Sequence, residues 1–187
     1  HTDQGFVRQR LMGLSSWHLR RLDHLPEDLV VPQDVLGSHA EGQTLTEAIA
    51  AGRIYVVDQA ALHGISWARG DHGVAPITLF VVADKRLEVV GIQTTRNADR
   101  TPFLTPRSDP SSWLAAKVWA NCADVQVTVM FFHAISCHWA PEVMHLAAQD
   151  TLAEHHVARQ LLAPHAFLHV ASAEGLRAQL SPGGSLA

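Results

Sequence analysis

Two histidines, His133 and His138, stand five positions apart in the apolar stretch FFHAISCHWAPE at residues 131–142. An α-helix completes a turn in about 3.6 residues, so side chains five positions apart point in directions roughly 140° apart. A π-helical turn, whose hydrogen bonds join residues five apart, brings such a pair roughly onto one face, and turns of this kind concentrate at functional sites. The spacing therefore predicts either two unrelated histidines or a locally widened helix that presents both.

A metal ion would favour such a turn, because the neutral nitrogens of imidazole are good ligands for iron, zinc and copper. Without a metal, a histidine in an apolar helix is more often a hydrogen-bonded core residue. A zinc set can be written by adding Cys122 and Cys137, although their spacing matches no usual zinc motif. The residues alone leave three alternatives: core histidines, half of a metal site, or a Cys/His zinc site.

Further metal ligands must come from elsewhere in the chain. Glu142 follows His138 by four positions and could complete a two-histidine, one-carboxylate iron site. Pro141, however, interrupts the helical register that would aim this carboxylate, so a structural role is favoured for Glu142. The other histidines available in this part of the sequence, none at a characteristic spacing, are His145, His155, His156, His165 and His169.

The elements that must position these residues belong to a globular chain. Of its 187 residues, 47% are hydrophobic and 17% are charged, which is enough apolar material for the core of one domain. The net charge of -4, without a long basic stripe, argues against a nucleic-acid partner. The longest apolar stretch, residues 127–140, is interrupted by polar side chains, so we expect no transmembrane segment. Two cysteines without a spaced framework favour a reducing, cytoplasmic location.

The first hundred residues combine short helices with strands. A short helix is predicted within the first twenty or so residues, and the prolines and glycines of residues 25–43 predict a surface excursion. Thr44 and Glu47 have the spacing of a capping box, which predicts a helix of two to three turns over 44–52. β-branched residues after this helix predict a strand, and two further runs around ADKR predict an antiparallel hairpin over 75–95.

From Asp109 onward the sequence is rich in helix-forming residues and contains no glycine as far as Gln149, which predicts a set of long buried helices. Pro141 is predicted to end or bend the helix that carries the two histidines. Thr151 and Glu154 predict a second capping box. The last residues, SPGGSLA, are predicted to form a loop.

An ordered set of motifs in this chain resembles the animal lipoxygenases. SDPSSWLAAKVWANCAD is followed by His133 and His138, then by PEV, by a HxxxxLLxPH segment at 156–165 and by a GG pair. Before these stand DQGFVRQRLMGL, LPEDLVVP, GRIYVVD, APITLF, GIQ and FLTPRSDP, in the family's order. The resemblance extends over nearly the whole chain and implies that residues 1–187 are part of a lipoxygenase catalytic domain.

The resemblance implies a mainly α fold with long buried helices and a small antiparallel β element, without the family's N-terminal β-sandwich or the later half of its catalytic domain. It implies a non-haem iron dioxygenase that converts polyunsaturated fatty acids and O2 to lipid hydroperoxides while iron alternates between Fe2+ and Fe3+. His133 and His138 match the family's first two iron ligands, on a core helix with a π-type turn. Peripheral membrane contact is implied for a longer protein.

Two further positions match the family's substrate pocket. Val125 matches an aromatic residue that shapes the pocket floor. Arg177 matches either the second arginine of the family's INxRAR segment or, if the segment shifts, the first arginine, which faces the fatty-acid carboxylate. Two departures, Val129 in place of a Glu or Gln near the iron and Gly175 in place of an arginine, favour an alternative: a degenerate lipoxygenase-like protein that binds a lipid or a partner without catalysis. Because the family's remaining ligands belong to its later half, we expect these 187 residues alone to be inactive.

Overall fold

The computed structural model describes residues 2–13, 15–40, 42–65, 74–96, 102–166 and 169–180, which belong to two compact units. The first unit comprises His1–Ser66 and Asp71–Val127, and the second comprises Trp67–Gly70 and Thr128–Ala187. The elements of the first unit are α1 (Asp3–Met12), β1 (Arg20–Arg21), α2 (Leu45–Ala50), β2 (Ile54–Asp58), β3 (Ile77–Ala83), β4 (Arg86–Gln93) and α3 (Pro110–Val127). Those of the second are the π-helix (Thr128–Trp139), α4 (Ala140–Thr151), α5 (Val157–Ala166) and α6 (His169–Leu180).

The first unit is built on an antiparallel sheet, which within the described residues has the strand order β1-β2-β3-β4. The β3–β4 hairpin turns at Asp84 and Lys85, whose φ angles of 48° and 61° are both left-handed. Such a pair of left-handed residues gives a two-residue turn the twist that joins neighbouring antiparallel strands. The hairpin predicted over residues 75–95 is confirmed.

Both faces of this sheet are covered by apolar side chains. One face packs against α1 and α3, where Phe6 and Trp113 are buried. The other face packs against α2 and against the segment at 25–43, where Leu29, Val35 and Leu36 are buried. The predicted surface excursion is therefore wrong for these three residues. The apolar face of the sheet has to be shielded from water, and apolar side chains in turns can shield it as well as those of a helix can.

The start of α2 is where the Thr44–Glu47 spacing predicts it. The Glu47 amide donates to Thr44 Oγ1 at 3.2 Å, and the Thr44 amide donates to Glu47 Oε2 at 2.7 Å, so the predicted capping box is confirmed. The hydrogen bonds from Thr44 lower the pKa of the Glu47 carboxyl. α2 has 6 residues, which is shorter than the two to three turns predicted over 44–52, and Gly52, with a left-handed φ of 69°, follows its end.

Gly91 on β4 lies where another segment crosses the strand closely. Ile92 forms a bridge with Leu104, and the ring of Phe103 lies over the glycine. A Cβ at Gly91 would lie 2.6 Å from the Leu104 carbonyl oxygen and nearer still to the Phe103 ring. A glycine is needed here because any side chain would displace the crossing segment.

The second unit begins with the predicted change of helix type. The π-helix starts at Thr128, directly after the last residue of α3, and ends at Trp139. The widened helix predicted from the histidine spacing is confirmed. Pro141 lies in the first turn of α4, and the π-helix continues into α4 without a break, because Trp139 is itself in the αR conformation. The prediction that Pro141 ends the histidine-bearing helix is therefore wrong, and only the change from π- to α-helical geometry, after Trp139, lies beside it.

The capping box predicted at Thr151 is wrong. Thr151 is the last residue of α4, its hydroxyl donates to the Ala147 carbonyl oxygen at 2.7 Å, and α5 begins only at Val157. The hydroxyl therefore bonds to a carbonyl of its own helix, α4, and does not cap the N-terminus of a new one. Threonine side chains near helix ends can make either kind of hydrogen bond. The loop predicted for SPGGSLA lies outside the described residues.

Burial is uneven along the helices after Asp109. One face of α3 is buried, including Trp113 and Ala120, as the prediction of long buried helices requires. Along the π-helix, large apolar side chains are 39% to 48% exposed, namely Val129, Met130, Phe131, Phe132 and Ile135. Among the described helices, none is both long enough and apolar enough to cross a membrane.

Candidate metal centre

The π-helix brings the two predicted histidines together. His138 Nε2 lies 2.9 Å from His133 Nε2, and the two ring planes meet at 83° with centroids 4.6 Å apart. His133 is exposed and His138 is half-buried. Because an α-helical turn would have pointed the two rings apart, this convergence depends on the wider helix.

The distance between these nitrogens fits two kinds of contact. One is a hydrogen bond, in which the N–H of one neutral ring donates to the bare nitrogen of the other. The other is a shared metal ion, because two nitrogens each about 2.1 Å from an ion and at a right angle to each other lie about 3.0 Å apart. The two residues therefore fit neighbouring positions around one metal.

The second ring nitrogen of His138 lies near a hydroxyl on α6. Ser172 Oγ is 3.4 Å from His138 Nδ1, at the long end of the hydrogen-bond range. Histidines that bind metals usually hold their other nitrogen in this way, because the partner fixes the tautomer and the ring orientation. No signal in the sequence pointed to Ser172, since 34 residues separate it from His138.

One turn beyond His138, a buried carboxylate joins α4 to α6. Two nitrogens of Arg177 donate to the oxygens of Glu142 at 2.5 and 2.8 Å, and the Glu142 side chain is 8% exposed. These hydrogen bonds lower the pKa of the Glu142 carboxyl and raise the pKa of the Arg177 guanidinium. Glu142 therefore holds two helices together, in line with the structural role expected for it.

Other candidate ligands do not converge on the histidine pair. In the part of the chain that the structure describes, no three His, Cys, Asp or Glu side chains lie close enough together to hold a metal ion. The described residues therefore do not assemble the zinc set, and Cys122 and Cys137 are both free thiols. Of the five other histidines that the sequence offered as ligands, His145 is buried in α4, the side chain of His169 lies outside the described part, and His155, His156 and His165 are exposed.

The positions matched to the substrate pocket belong to different units. Val125 lies on α3 of the first unit and is 60% exposed. Arg177 lies on α6 of the second unit, where two of its nitrogens contact Glu142. Val129, near the start of the π-helix, has no polar group that could bond to a ring nitrogen. Gly175 leaves open space where a side chain would begin.

A buried ionic cluster in the first unit escaped prediction from the sequence. Asp124 on α3 pairs with Arg10 of α1 at 2.9 Å and accepts from the Gln59 amide at 2.5 Å. Arg10 also donates to Asn121 at 2.6 Å, and Gln59 donates to His18 Nδ1 at 2.9 Å. Burial lowers the pKa of Arg10, and the charge of Asp124 opposes that change. An acid among the apolar residues of α3 was the available signal, because a buried carboxylate requires partners.

An open cavity of about 1120 Å³ lies between α1 and the β3–β4 hairpin in the first unit. Its lining is rich in polar and charged residues, among them Asp3, Arg8, Lys85 and Glu88. None of the predicted site residues lines it.

Comparisons with known proteins point to lipoxygenases, although no protein-family model matches the chain. The chain is 30% identical over 171 residues to the polyunsaturated fatty acid (12S)/(13S)-lipoxygenase, epidermal-type, of Rattus norvegicus, and 30% identical over 182 residues to the linoleate 9/13-lipoxygenase of Pseudomonas aeruginosa. It is 28% identical over 162 residues to the manganese lipoxygenase of Fusarium oxysporum. These alignments cover 86% or 87% of this chain and 25% or 26% of each relative. The chain therefore spans about a quarter of the length of the curated relatives it matches.

Solved structures agree with the sequence comparisons. The coral 8R-lipoxygenase matches with a TM-score of 0.81 at 28% identity, and a calcium-dependent 11R-lipoxygenase matches with a TM-score of 0.82 at 27% identity. Each match covers 98% of this chain and 28% of the solved one. The expected architecture, mainly α with a small antiparallel β element and matching part of a lipoxygenase catalytic domain, is confirmed.

Proposed function

The chain belongs to the lipoxygenase family, and from that premise we propose that residues 1–187 are a segment of a metal-dependent dioxygenase that converts polyunsaturated fatty acids and O2 to lipid hydroperoxides. One observation carries this proposal: the ring nitrogens of His133 and His138 converge to 2.9 Å on a π-helix. The names of two relatives support the substrate class, because they specify polyunsaturated fatty acid and linoleate.

The proposed role of His133 and His138 is to hold the metal through their Nε2 atoms. Each ring then needs its proton on Nδ1, so that both Nε2 lone pairs are available at the same place. When bound, iron would supply one-electron redox chemistry between Fe2+ and Fe3+. The π-helical backbone brings both rings to the same side of the helix, so that neither histidine has to be recruited from a distant segment for the two to meet one metal ion.

Iron is the metal that we propose first, and the manganese lipoxygenase among the relatives makes manganese the second candidate. Two imidazoles leave most of the metal's positions to water, so weak binding is expected. The test is calorimetric titration of the metal-free chain with Fe2+ without oxygen and, separately, with Mn2+. His133→Ala and His138→Ala should each abolish binding, whereas the matched control His155→Ala, an exposed histidine, should not. Unchanged affinity in His133→Ala would contradict the proposal.

Val125 and Arg177 are proposed to contact the fatty acid. A valine in place of an aromatic residue would leave a deeper pocket, and the guanidinium of Arg177 would attract the fatty-acid carboxylate. The test compares binding of linoleate and of linoleyl alcohol, measured by tryptophan fluorescence. Arg177→Met should weaken the binding of linoleate more than that of the alcohol, because it removes the carboxylate contact in addition to the pair with Glu142. Equal effects on both lipids would contradict a role in carboxylate recognition.

We further propose that these 187 residues alone are inactive. The described residues bring two imidazoles together and no third metal-binding side chain. Oxygen uptake with linoleic or arachidonic acid and added Fe2+ should therefore stay at the rate of the metal without protein. Robust formation of hydroperoxide by this chain would overturn the proposal.

The second candidate function is binding of a lipid or a partner without catalysis. Exposed apolar side chains on the π-helix, such as Phe131 and Phe132, favour it. Under this reading, fatty-acid binding would survive in His133→Ala and the chain would show no titratable metal binding. We further propose a cytoplasmic location, because the sequence has two cysteines without a spaced disulfide framework, and peripheral membrane contact in a longer protein, because the family resemblance implies it.

A further inference from the structure

Two contacts run side by side between α6 and the helical segment that carries the histidines. His138 meets Ser172, and Glu142, four residues after His138, meets Arg177. Because residues three or four apart share a helix face, His138 and Glu142 lie on the side of their segment that α6 covers. Ala173, next to Ser172, is fully buried, which agrees with close packing of α6 at this point.

The chemistry of these two contacts differs. A two-pronged pair between a guanidinium and a buried carboxylate fixes both groups in one geometry, because both N–H···O bonds must be made together. The contact of Ser172 Oγ with His138 Nδ1, at 3.4 Å, is weaker and needs the helices to be held at the right distance. The Glu142–Arg177 pair is therefore suited to hold α6 where Ser172 can reach the ring.

The serine hydroxyl has a specific effect on the ring. An oxygen beside Nδ1 can accept a hydrogen bond from Nδ1–H, which favours the tautomer with a bare Nε2. Without a metal, that bare nitrogen can accept a hydrogen bond from His133 when His133 carries its proton on Nε2, across the 2.9 Å that separates the two atoms. With a metal, the same nitrogen is the one that coordinates.

We propose that Ser172 is a positioning residue of the metal centre, held beside His138 by the Glu142–Arg177 pair, and that it selects the tautomer in which His138 Nε2 can bind a metal. This inference rests on the proposed function of the two histidines. Its effect on the ring itself exists without metal, so it can be measured independently.

The test is the tautomer of His138 in the metal-free, 15N-labelled chain, read by long-range 1H–15N correlation at a pH about two units above the ordinary histidine pKa of about 6.5. The native chain should show protonation at Nδ1. Ser172→Ala should reduce the Nδ1–H population, and Ser172→Thr, which keeps the hydroxyl, should restore it. Ala178→Ser, an exposed position on the same helix, is the matched control and should change nothing.

The role of the Glu142–Arg177 pair is tested by the same measurement of the His138 tautomer. Arg177→Met should shift the tautomer in the same direction as Ser172→Ala, and the exchanged pair E142R/R177E should restore the native tautomer. Circular dichroism selects the variants that keep native helix content. An unchanged His138 tautomer in Ser172→Ala, or protonation of the native ring at Nε2, would overturn the inference.

A titration with Co2+ separates this inference from the proposed function. Ser172→Ala should bind Co2+ about tenfold more weakly than the native chain, since partners of metal ligands commonly have effects of this size. If the native chain binds no Co2+, the proposed function fails while the tautomer data still decide the role of Ser172. A changed tautomer with unchanged Co2+ affinity would contradict the link to the metal.

Discussion

At the scale of single residues, two buried carboxylates show how different partners give an acid a structural role. Asp124 lies among Arg10 and Gln59 in the first unit, and Glu142 lies against Arg177 in the second. In both cases the charge is matched by a guanidinium, which is the geometry that a buried carboxylate requires. Neither pairing could be read from periodicity, because the partners of Asp124 are 65 or more residues away and Arg177 is 35 residues from Glu142.

The Glu142 pair should make the second unit sensitive to acid. Because Arg177 lowers the pKa of Glu142 in the folded chain, the pair stabilises above the ordinary glutamate pKa of about 4.3, and this stabilisation is lost as pH falls through the lower folded value. Glu142→Gln should therefore lower the urea midpoint at neutral pH, and the difference from native should shrink toward zero in acid. The control Glu154→Gln, at an exposed site, should show no such trend. A difference that persists in acid would contradict this assignment.

The Asp124 cluster should contribute strongly to the first unit. Asp124→Ala leaves the Arg10 guanidinium buried without its carboxylate partner, and loss of one member of a buried pair typically costs about 3–5 kcal/mol. Urea unfolding followed by circular dichroism measures the change. The exposed control Glu154→Ala should stay within about 0.5 kcal/mol of native. A loss below about 1 kcal/mol in Asp124→Ala would contradict the importance of the pair.

At the scale of elements, local chemistry determined most of what was predictable. The capping box of α2, the β3–β4 hairpin and the π-helix each depend on residues within a few positions of one another, so their signals are contained in short stretches. Thr151 shows the limit of this reasoning, because its hydroxyl can either cap the N-terminus of a following helix or bond to a carbonyl of α4, and the sequence does not distinguish the two. The segment at 25–43 shows another limit, since its burial depends on a sheet formed by distant residues.

Two glycines in different elements should respond oppositely to the same change. Gly91→Ala would place a methyl group against the Leu104 carbonyl and the Phe103 ring, so a loss of about 1–3 kcal/mol is expected from overpacking. Gly175→Ala, in α6 with open space around it, should instead gain about 0.4–1 kcal/mol by restricting the unfolded chain. Thermal unfolding of the two variants gives the comparison, and equal shifts would refute the role assigned to Gly91.

At the scale of the whole molecule, most of the described buried core belongs to the first unit, while both units expose large apolar side chains. Beyond the π-helix, Val143 and Met144 on α4 and Val157 and Leu161 on α5 are 66% to 70% exposed. Composition predicted enough apolar residues for a core, but it carries no information on which of them become buried. That distribution is set by tertiary packing, which no short stretch of sequence encodes.

The isolated 187-residue chain should therefore bind hydrophobic dyes while keeping its secondary structure. We expect enhanced fluorescence of anilinonaphthalene sulfonate at native pH, because the exposed apolar side chains of these helices offer it a surface. The double variant M144K/L161K should reduce the signal, and V30K, an isolated exposed position in the first unit, serves as control. Absence of dye binding by the native chain would contradict the exposure seen on these helices.

The π-helix also restricts how this sequence can change over evolutionary time. Substitutions between His133 and His138 leave the five-residue interval intact, so many of them are open to neutral drift. A single-codon deletion in that interval would place the histidines four apart, and the segment would have to return to an α-helical turn to keep both on one face. Such a deletion would also rotate every following residue by about 100°, including Glu142, and would separate it from Arg177. Lineages that retain the paired histidines should therefore tolerate substitutions here but exclude insertions and deletions.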